Sequence, residues 1–454
     1  MAAGEKERRL FGTDGVRDIA NQGIMTPESA LSFGRAFVSF LKDRGSKRPK
    51  IASCRDTRLS GAMLESALLS GMMSEGAEVY TLGIFPTPGV SFVLRQGDFD
   101  AGAVISASHN PAEYNGIKFF DSRGFKLKDD DEAAIEDYLE DIIRTRTRPT
   151  GDAIGSLHDA GDRTGSYIKW LQGMLSSIGE CGLPLAVDAA NGAASDLVEH
   201  VFEYWGGGVF HCGVEYNGLN INDGVGVMHM EHLASAVATS SSRLGMAFDG
   251  DTDRVLLCDH LGRVIDGDIM LWIIGRYLKS AGALGSGVAA TVMSNMALEE
   301  KLSEHGIEVF RCAVGDRYVL EKMRETGASL GGEQSGHVIA SDYVSTGDGI
   351  CTGILFLKSC LSLGEDIDTL VDRFPRYPQL LKNLKITDRE TVLSSPALEE
   401  ACERAREKLS GAGRIFLRPS GTEPLIRILV EARDEQLMRT ISRDIEEVIL
   451  KLVR

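Results

Sequence analysis

A multidomain α/β fold built on mostly parallel sheets is the architecture this chain predicts, and three observations carry the prediction. At 454 residues the chain is too long for one core and asks for three or four domains. Short apolar strands alternate with amphipathic helices through most of its length, the order that produces βαβ units. The alternation restarts twice, until Pro375 and Pro378 in "RFPRYPQ" interrupt it ahead of a last strand-and-helix segment.

In chain order, "TPESALSFGRAFVSFLKDRG" from Thr26 puts Ala30, Phe33, Gly34, Phe37, Val38 and Leu41 on one helical stripe. Pro27 sits at its start and Gly45 at its end, as helix termini prefer. "KIASC", "AEVYTLG" and "AGAVIS" read as strands around the helix "SGAMLESALLSGMMSEG". A second unit begins at "LPLAVDAANGAASDLVEHVFEYWG" and ends in the strand "LGMAFDGDTD"; a third begins at "VIDGDIMLWIIGRYLKSAG" and "GVAATVMSN". The chain is expected to close on the helix "DEQLMRTISRDIEEVILKLV". The expected division is 1–158, 159–257 and 258–374 for three α/β units and 375–454 for an α+β unit, with no fixed-period repeat among them.

Composition narrows the class. With 43% hydrophobic and 25% charged residues, 51 glycines and no low-complexity tract, the chain reads as globular. Its charged first residues lead into no apolar signal segment, and no apolar run reaches membrane-spanning length, so a cytoplasmic protein with no membrane partner is expected. The eight cysteines form no CxxC pair, so spacing indicates neither a disulfide framework nor a zinc site. A formal charge of −17 argues against a nucleic-acid partner, whose binding rests on phosphate neutralisation. An anionic ligand would need a local cluster of arginine and lysine.

The strongest chemical signal is "FDGDTDRV", where Asp249, Asp251 and Asp253 alternate after an apolar strand. Three such charges in one turn repel unless a cation joins them, and an all-oxygen set favours magnesium or calcium. The loop is not an EF-hand, since Arg254 and His260 stand where that motif needs Gly and Glu. A solvated acidic turn is the alternative.

"AVISASHNPAEYNGIKFF" places Ser108 just past a strand end, where parallel sheets put their ligands. The serine is either a phosphate carrier or a polar loop residue; without a GxSxG elbow, a hydrolase nucleophile fits poorly. As a carrier it would bring about two negative charges to the aspartates, with His109 to move a sugar-hydroxyl proton and Lys118 to neutralise the moving phosphoryl. In "RPSGTEPLIRI", Arg418 and Arg427 flank a Ser420-Gly421-Thr422 turn that either cradles a phosphate or is an ordinary surface turn. Glu333 and Ser335 of "GGEQSGHVI" either bind a polyol or form a plain turn. Arg17, Arg55, Arg58 and "GDRYV" supply further phosphate contacts or interdomain ion pairs.

Taken together, "FGTDGVRD", "ISASHNP", "FDGDTDR", "GEQSGH" and "RPSGTEP", in this order and spacing, resemble the α-D-phosphohexomutases along essentially the whole chain. "GEQSGH" and "TVMSN" look like the branch acting on amino sugars. The resemblance implies four domains around a central cleft, three of related α/β topology and a fourth carrying a phosphate loop. It makes Ser108 the phosphoserine and a metal ligand beside Asp249, Asp251 and Asp253, around one Mg2+ per chain. Arg17, His109, Lys118 and Arg254 become catalytic; Glu333, Ser335, Arg418, Ser420, Gly421, Thr422 and Arg427 become substrate-binding. The implied reaction is phosphomutase isomerisation of glucosamine 6-phosphate to glucosamine 1-phosphate, feeding UDP-N-acetylglucosamine synthesis, with hexosamine or glucose 1,6-bisphosphate as activator. A homodimer is a further expectation. Mutases of the same family acting on glucose or mannose phosphates, and a metal-dependent sugar phosphatase, are the competing readings. The chain departs from the family at Thr252, where Gly or Ala is expected, and over "NINDGVGVMHMEHL".

Overall fold

The computed structural model describes residues 10–12, 14–142, 147–179, 181–386, 388–419 and 425–453. The first domain contains β1 (Val16–Ile19), α1 (Pro27–Asp43), β2 (Lys50–Arg55), α2 (Gly61–Ser74), β3 (Glu78–Ile84), α3 (Thr87–Arg95), β4 (Ala101–Ile105), β5 (Tyr114–Asp121), α4 (Asp129–Ile142) and β6 (Ser156–Asp159). The predicted first helix forms as α1, with the Thr26 hydroxyl accepting from the Ser29 amide as N-cap and Pro27 in the first turn. The second contains α5 (Thr164–Ser176), β7 (Leu185–Asp188), α6 (Val198–Phe202), β8 (Val209–Cys212), α7 (Met230–Ser240), β9 (Leu244–Phe248), β10 (Val255–Asp259) and β11 (Val264–Ile265).

The third runs through α8 (Gly267–Ser280), β12 (Gly287–Thr291), α9 (Met296–Ser303), β13 (Glu308–Cys312), α10 (Asp316–Thr326), β14 (Leu330–Gly332), β15 (Val338–Ala340), α11 (Gly349–Leu363) and α12 (Ile367–Asp372). The fourth comprises β16 (Gln379–Lys385), α13 (Arg389–Leu393), α14 (Pro396–Leu409), β17 (Gly413–Pro419), β18 (Leu425–Ala432) and α15 (Glu435–Leu452). The division expected at residue 257 falls inside β10: that strand pairs with β11, so the second sheet closes only at Ile265.

The first three domains share one topology. In each, three parallel strands are followed by one that turns back, in spatial order second, first, third, fourth: β3-β2-β4-β5, β8-β7-β9-β10 and β13-β12-β14-β15. The loop between third and fourth strands therefore occupies the same place three times. It carries Ser108 in the first domain, the three aspartates in the second, and Glu333 with Ser335 in the third. The fourth domain instead has an antiparallel sheet, β16-β18-β17, packed by α14 and α15.

Packing separates the domains in another way. One continuous apolar core runs from Ala52 through the second domain to Phe374, so the first three domains are fused by burial. The fourth has its own core, from Ile386 to Ile449. No described helix is long and apolar enough to cross a membrane.

Candidate active site

The first two of the equivalent loops meet face to face. Ser108 is fully buried and its Oγ donates to Asp249 Oδ2 at 2.6 Å, across 141 residues of sequence. Close approach requires Gly250: a Cβ there would lie 2.7 Å from the Ser108 carbonyl oxygen. Ser108 itself is left-handed, with φ 52°, a conformation that costs an ordinary residue roughly 1–3 kcal/mol and persists only where its surroundings impose it.

Those surroundings are identifiable. The Ser108 amide donates to Ser106 Oγ at 3.0 Å, and Ser106 Oγ donates to buried Asp56 at 2.5 Å. The Ser108 carbonyl accepts from Arg58 at 3.1 Å and Asn222 at 2.9 Å, and both side chains also donate to the Asn110 carbonyl, at 2.7 and 3.1 Å.

Asp249, Asp251 and Asp253 each present a carboxylate oxygen, all within 4.8 Å of one another. Asp251 Oδ1 and Asp253 Oδ1 are buried without a hydrogen-bond partner. Buried carboxylate oxygens converging this closely, two of them without a hydrogen bond, fit a small hard cation, and Ser108 Oγ stands beside them. Burial, with Asp253 and Asp251 nearby, pushes the Asp249 carboxyl well above its usual range. Burial also opposes ionisation of Asp253, but Lys118 and His337 outweigh it and hold that group well below its usual range.

Positive charge surrounds the trio. Lys118 Nζ donates to Asp251 Oδ2 at 2.7 Å and lies 3.2 Å from Asp14; burial lowers its pKa. Arg17 pairs with Asp14, and burial lowers its pKa too. The Arg254 amide donates to Asp249 Oδ1 at 3.1 Å, while its half-buried guanidinium, where desolvation is outweighed by Asp253 and Asp249 so that the pKa rises, sits 3.9 Å from Asp253. His109 Nδ1 is 3.2 Å from Ser108 Oγ; burial first, then Arg254 and Arg17, lower its pKa to about 4, so the ring is neutral near pH 7 and able to accept a proton.

The third loop faces the same cleft. Glu333 is buried, accepts from the Gly315 amide at 3.1 Å, and acts electrostatically on both Arg254 and Arg418, while Ser335 is exposed. Arg418 and Arg427 are direct cross-strand partners on β17 and β18, and burial, with Arg427 alongside, lowers the Arg418 pKa. Ser420, Gly421 and Thr422 lie outside the described residues.

Several supports escaped the sequence reading. Thr87 Oγ1 donates to Asp251 Oδ2 at 2.7 Å. Lys126 bridges Asp14 of the first domain and Asp316 of the third, and His337 lies 3.7 Å from Asp253. Burial alone would raise the Asp316 carboxyl, but Lys126 and His337 hold it at about 2. These are interdomain contacts with no local motif. The arginines left open divide accordingly: Arg55 pairs with Glu65 at 3.1 Å, Arg317 of "GDRYV" pairs with Glu132 at 2.8 Å, and Arg58 clamps the serine loop.

Family models for phosphoglucomutase/phosphomannomutase match three segments: α/β/α domain I over residues 8–146, α/β/α domain III over 266–377, and the C-terminal domain over 381–448. The chain is 43% identical over 429 residues to a phosphoglucosamine mutase of Exiguobacterium sibiricum, covering 94% of this chain and 95% of the relative. It is 42% identical over 442 residues to the phosphoglucosamine mutase of Bacillus subtilis, covering 97% and 98%. Among solved structures, a phosphoglucomutase/phosphomannomutase family protein from Burkholderia thailandensis superimposes with a TM-score of 0.80 at 25% identity over 97% of each chain. An N-acetylphosphoglucosamine mutase from Aspergillus fumigatus, solved with GlcNAc-6P and magnesium, shares the fold with a TM-score of 0.67 at 16% identity, covering 98% of this chain and 96% of that one.

Proposed function

The chain belongs to the phosphoglucomutase/phosphomannomutase family, the α-D-phosphohexomutases, and from that premise we propose that it interconverts glucosamine 6-phosphate and glucosamine 1-phosphate. The enzyme class is intramolecular phosphotransferase. The observation that carries the reading is the contact of Ser108 Oγ with Asp249 at the edge of the aspartate trio, which supports a serine that carries phosphoryl and not one that attacks a carbonyl.

In this reading phosphorylated Ser108 gives its phosphoryl to O1 of the 6-phosphate sugar, producing a 1,6-bisphosphate. The intermediate turns end for end, and its 6-phosphoryl returns to Ser108 Oγ. Asp249, Asp251, Asp253 and Ser108 would hold Mg2+, which when bound supplies charge neutralisation at the phosphoryl oxygens. Lys118, Arg17 and Arg254 add fixed positive charge around the same position, the main requirement of a loose phosphoryl-transfer transition state. Neutral His109 takes the proton from the attacking sugar hydroxyl.

Arg418 and Arg427, with the Ser420–Thr422 turn, grip whichever phosphate is idle, while Glu333 and Ser335 bind hydroxyls common to both orientations. A hexosamine or glucose 1,6-bisphosphate would prime the serine, and a cytoplasmic enzyme is part of the same proposal. Two measurements test the proposal. Ser108→Ala should reduce mutase turnover to background, and wild-type-like turnover would end the carrier role. The kcat/KM for glucosamine phosphate should exceed that for glucose or mannose phosphate; the reverse order would assign the enzyme to the other branch.

A further inference from the structure

The second domain holds another set of metal-ligating side chains, away from the cleft. Asp188 ends β7, Cys212 ends the neighbouring parallel strand β8 as its direct register partner, and His232 lies in the first turn of α7. One carboxylate oxygen, the thiol sulfur and one ring nitrogen of this trio lie within 4.8 Å of one another. Asp188 is buried whereas Cys212 and His232 are half-buried, and a hollow of about 330 Å³ lined by Asn191, Cys212, Gly213 and Asn220 opens beside them. An ion has a route in.

The donor types differ from those of the aspartate trio. Oxygen, sulfur and nitrogen together suit a borderline-soft divalent ion such as zinc, while magnesium selects oxygen alone. We propose that Asp188, Cys212 and His232 bind one Zn2+ per chain, with solvent completing a tetrahedron, at a site distinct from the magnesium position.

Binding is an exchange of partners. His232 Nδ1 now contacts Asp188 Oδ2 at 2.8 Å, and its ring is about a third exposed, so it can rotate to admit an ion. The ring proton then resides on Nε2, and the Cys212 thiol releases its proton to solvent. Asp188 keeps its amide contacts, from Ala190 at 2.9 Å and Gly226 at 3.0 Å.

The position also has a line to the chemistry. The Ala190 carbonyl accepts from the Asn222 amide at 2.9 Å, and Asn222 is one of the two side chains holding the Ser108 carbonyl. Zinc at Asp188 therefore acts on the serine loop through three hydrogen bonds in series, Asp188 to Ala190, Ala190 to Asn222 and Asn222 to Ser108, and is expected to change kcat and not KM.

The test uses the whole enzyme in saturating Mg2+, titrated with Co2+ as a spectroscopic substitute. A sulfur-to-cobalt charge-transfer band in the near ultraviolet should grow to one equivalent, be absent in Cys212→Ser, and need at least tenfold more Co2+ in His232→Ala. The magnesium position has no sulfur and cannot produce this band. No band in the wild type, or an undiminished band in Cys212→Ser, overturns the site. Both variants should keep basal mutase activity, and Zn2+ should lower kcat of the wild type but not of Cys212→Ser; equal inhibition of the two would overturn the coupling to the serine loop.

Discussion

The two ends of the cleft are built differently. At the serine end, Ser108, the three aspartates, Lys118 and Arg58 are all fully or almost fully buried, and the domains that supply them share one apolar core. At the arginine end, Arg418 and Arg427 are half-exposed on a domain with its own core. That domain meets the third through polar contacts: Met296 amide to Glu431 at 2.8 Å, Arg414 to the Ser294 carbonyl at 2.5 Å, Gln379 to the Met293 carbonyl at 3.2 Å, and Asn295 to the Tyr377 carbonyl at 2.9 Å. Polar interdomain interfaces permit relative motion, whereas a shared apolar core resists it. The difference teaches that the serine end is held in place by burial, while a polar interface leaves the arginine end able to shift against it. In the proposed reaction a sugar that leaves, turns and rebinds needs that division, and closure over it would exclude water.

Breaking the buried end should have the largest effect. Asp251→Asn removes the carboxylate that joins Lys118 and Thr87 to the trio, so kcat should fall by about 10²–10³-fold or more, with Mg2+ affinity falling in parallel. Steady-state rates across a magnesium titration would show it. Near-normal turnover at ordinary magnesium would mean the trio is structural.

Damage at the other end should be milder and of another kind. Arg418→Ala removes one member of a facing pair, so KM for the sugar phosphate should rise by about tenfold to a hundredfold while kcat changes less. A pure kcat loss would show that the arginine end is as much part of the chemistry as the serine end.

The junction between the third and fourth domains contains its own titrating group. Asp268 is fully buried, accepts from the Asn295 amide at 2.7 Å, and is raised to about 7 by burial, with Asp266 nearby. A carboxyl whose folded pKa exceeds its unfolded value stabilises fully below the unfolded value, near 4, and that contribution disappears as pH rises through about 7. Asp268→Asn should therefore flatten the wild-type decline in Tm between pH 5 and 8; an unchanged decline would place its cause elsewhere.

The smallest expected effect sharpens the picture of the buried end. Thr252, where the family expects Gly or Ala, has φ 66°, is fully buried, and its hydroxyl has no hydrogen-bond partner. A β-branched residue in that conformation is strained, so Thr252→Gly should stabilise by about 1 kcal/mol and raise Tm by a few degrees while leaving all three carboxylates in place. A lower Tm would show that the threonine methyl packs to compensate.

The sequence made the proposed reacting groups legible because each falls within one short motif: "FDGDTDR" places three candidate ligands on a single turn, and "SASHNP" sets Ser108 beside His109. Strand and helix rhythm made the α/β class and α1 legible for the same reason, since periodicity is local. What holds those motifs together was not legible. Thr87, Lys126, Asp316, His337 and Asn222 each act on a partner more than 80 residues away, and one sequence contains no pairing information. The threefold placement of the functional loops was equally hidden, because the three domains repeat a topology without repeating a sequence. The boundary at residue 257 missed for a related reason: a hairpin partner as short as β11 leaves no periodic trace.

The most direct test of the account is the intact mass of the purified enzyme before and after incubation with glucose 1,6-bisphosphate, followed by peptide mapping. The account predicts a gain of one phosphoryl group, confined to the peptide containing Ser108 and absent from Ser108→Ala. A phosphoryl on any other residue, or an active enzyme that never carries one, would contradict it.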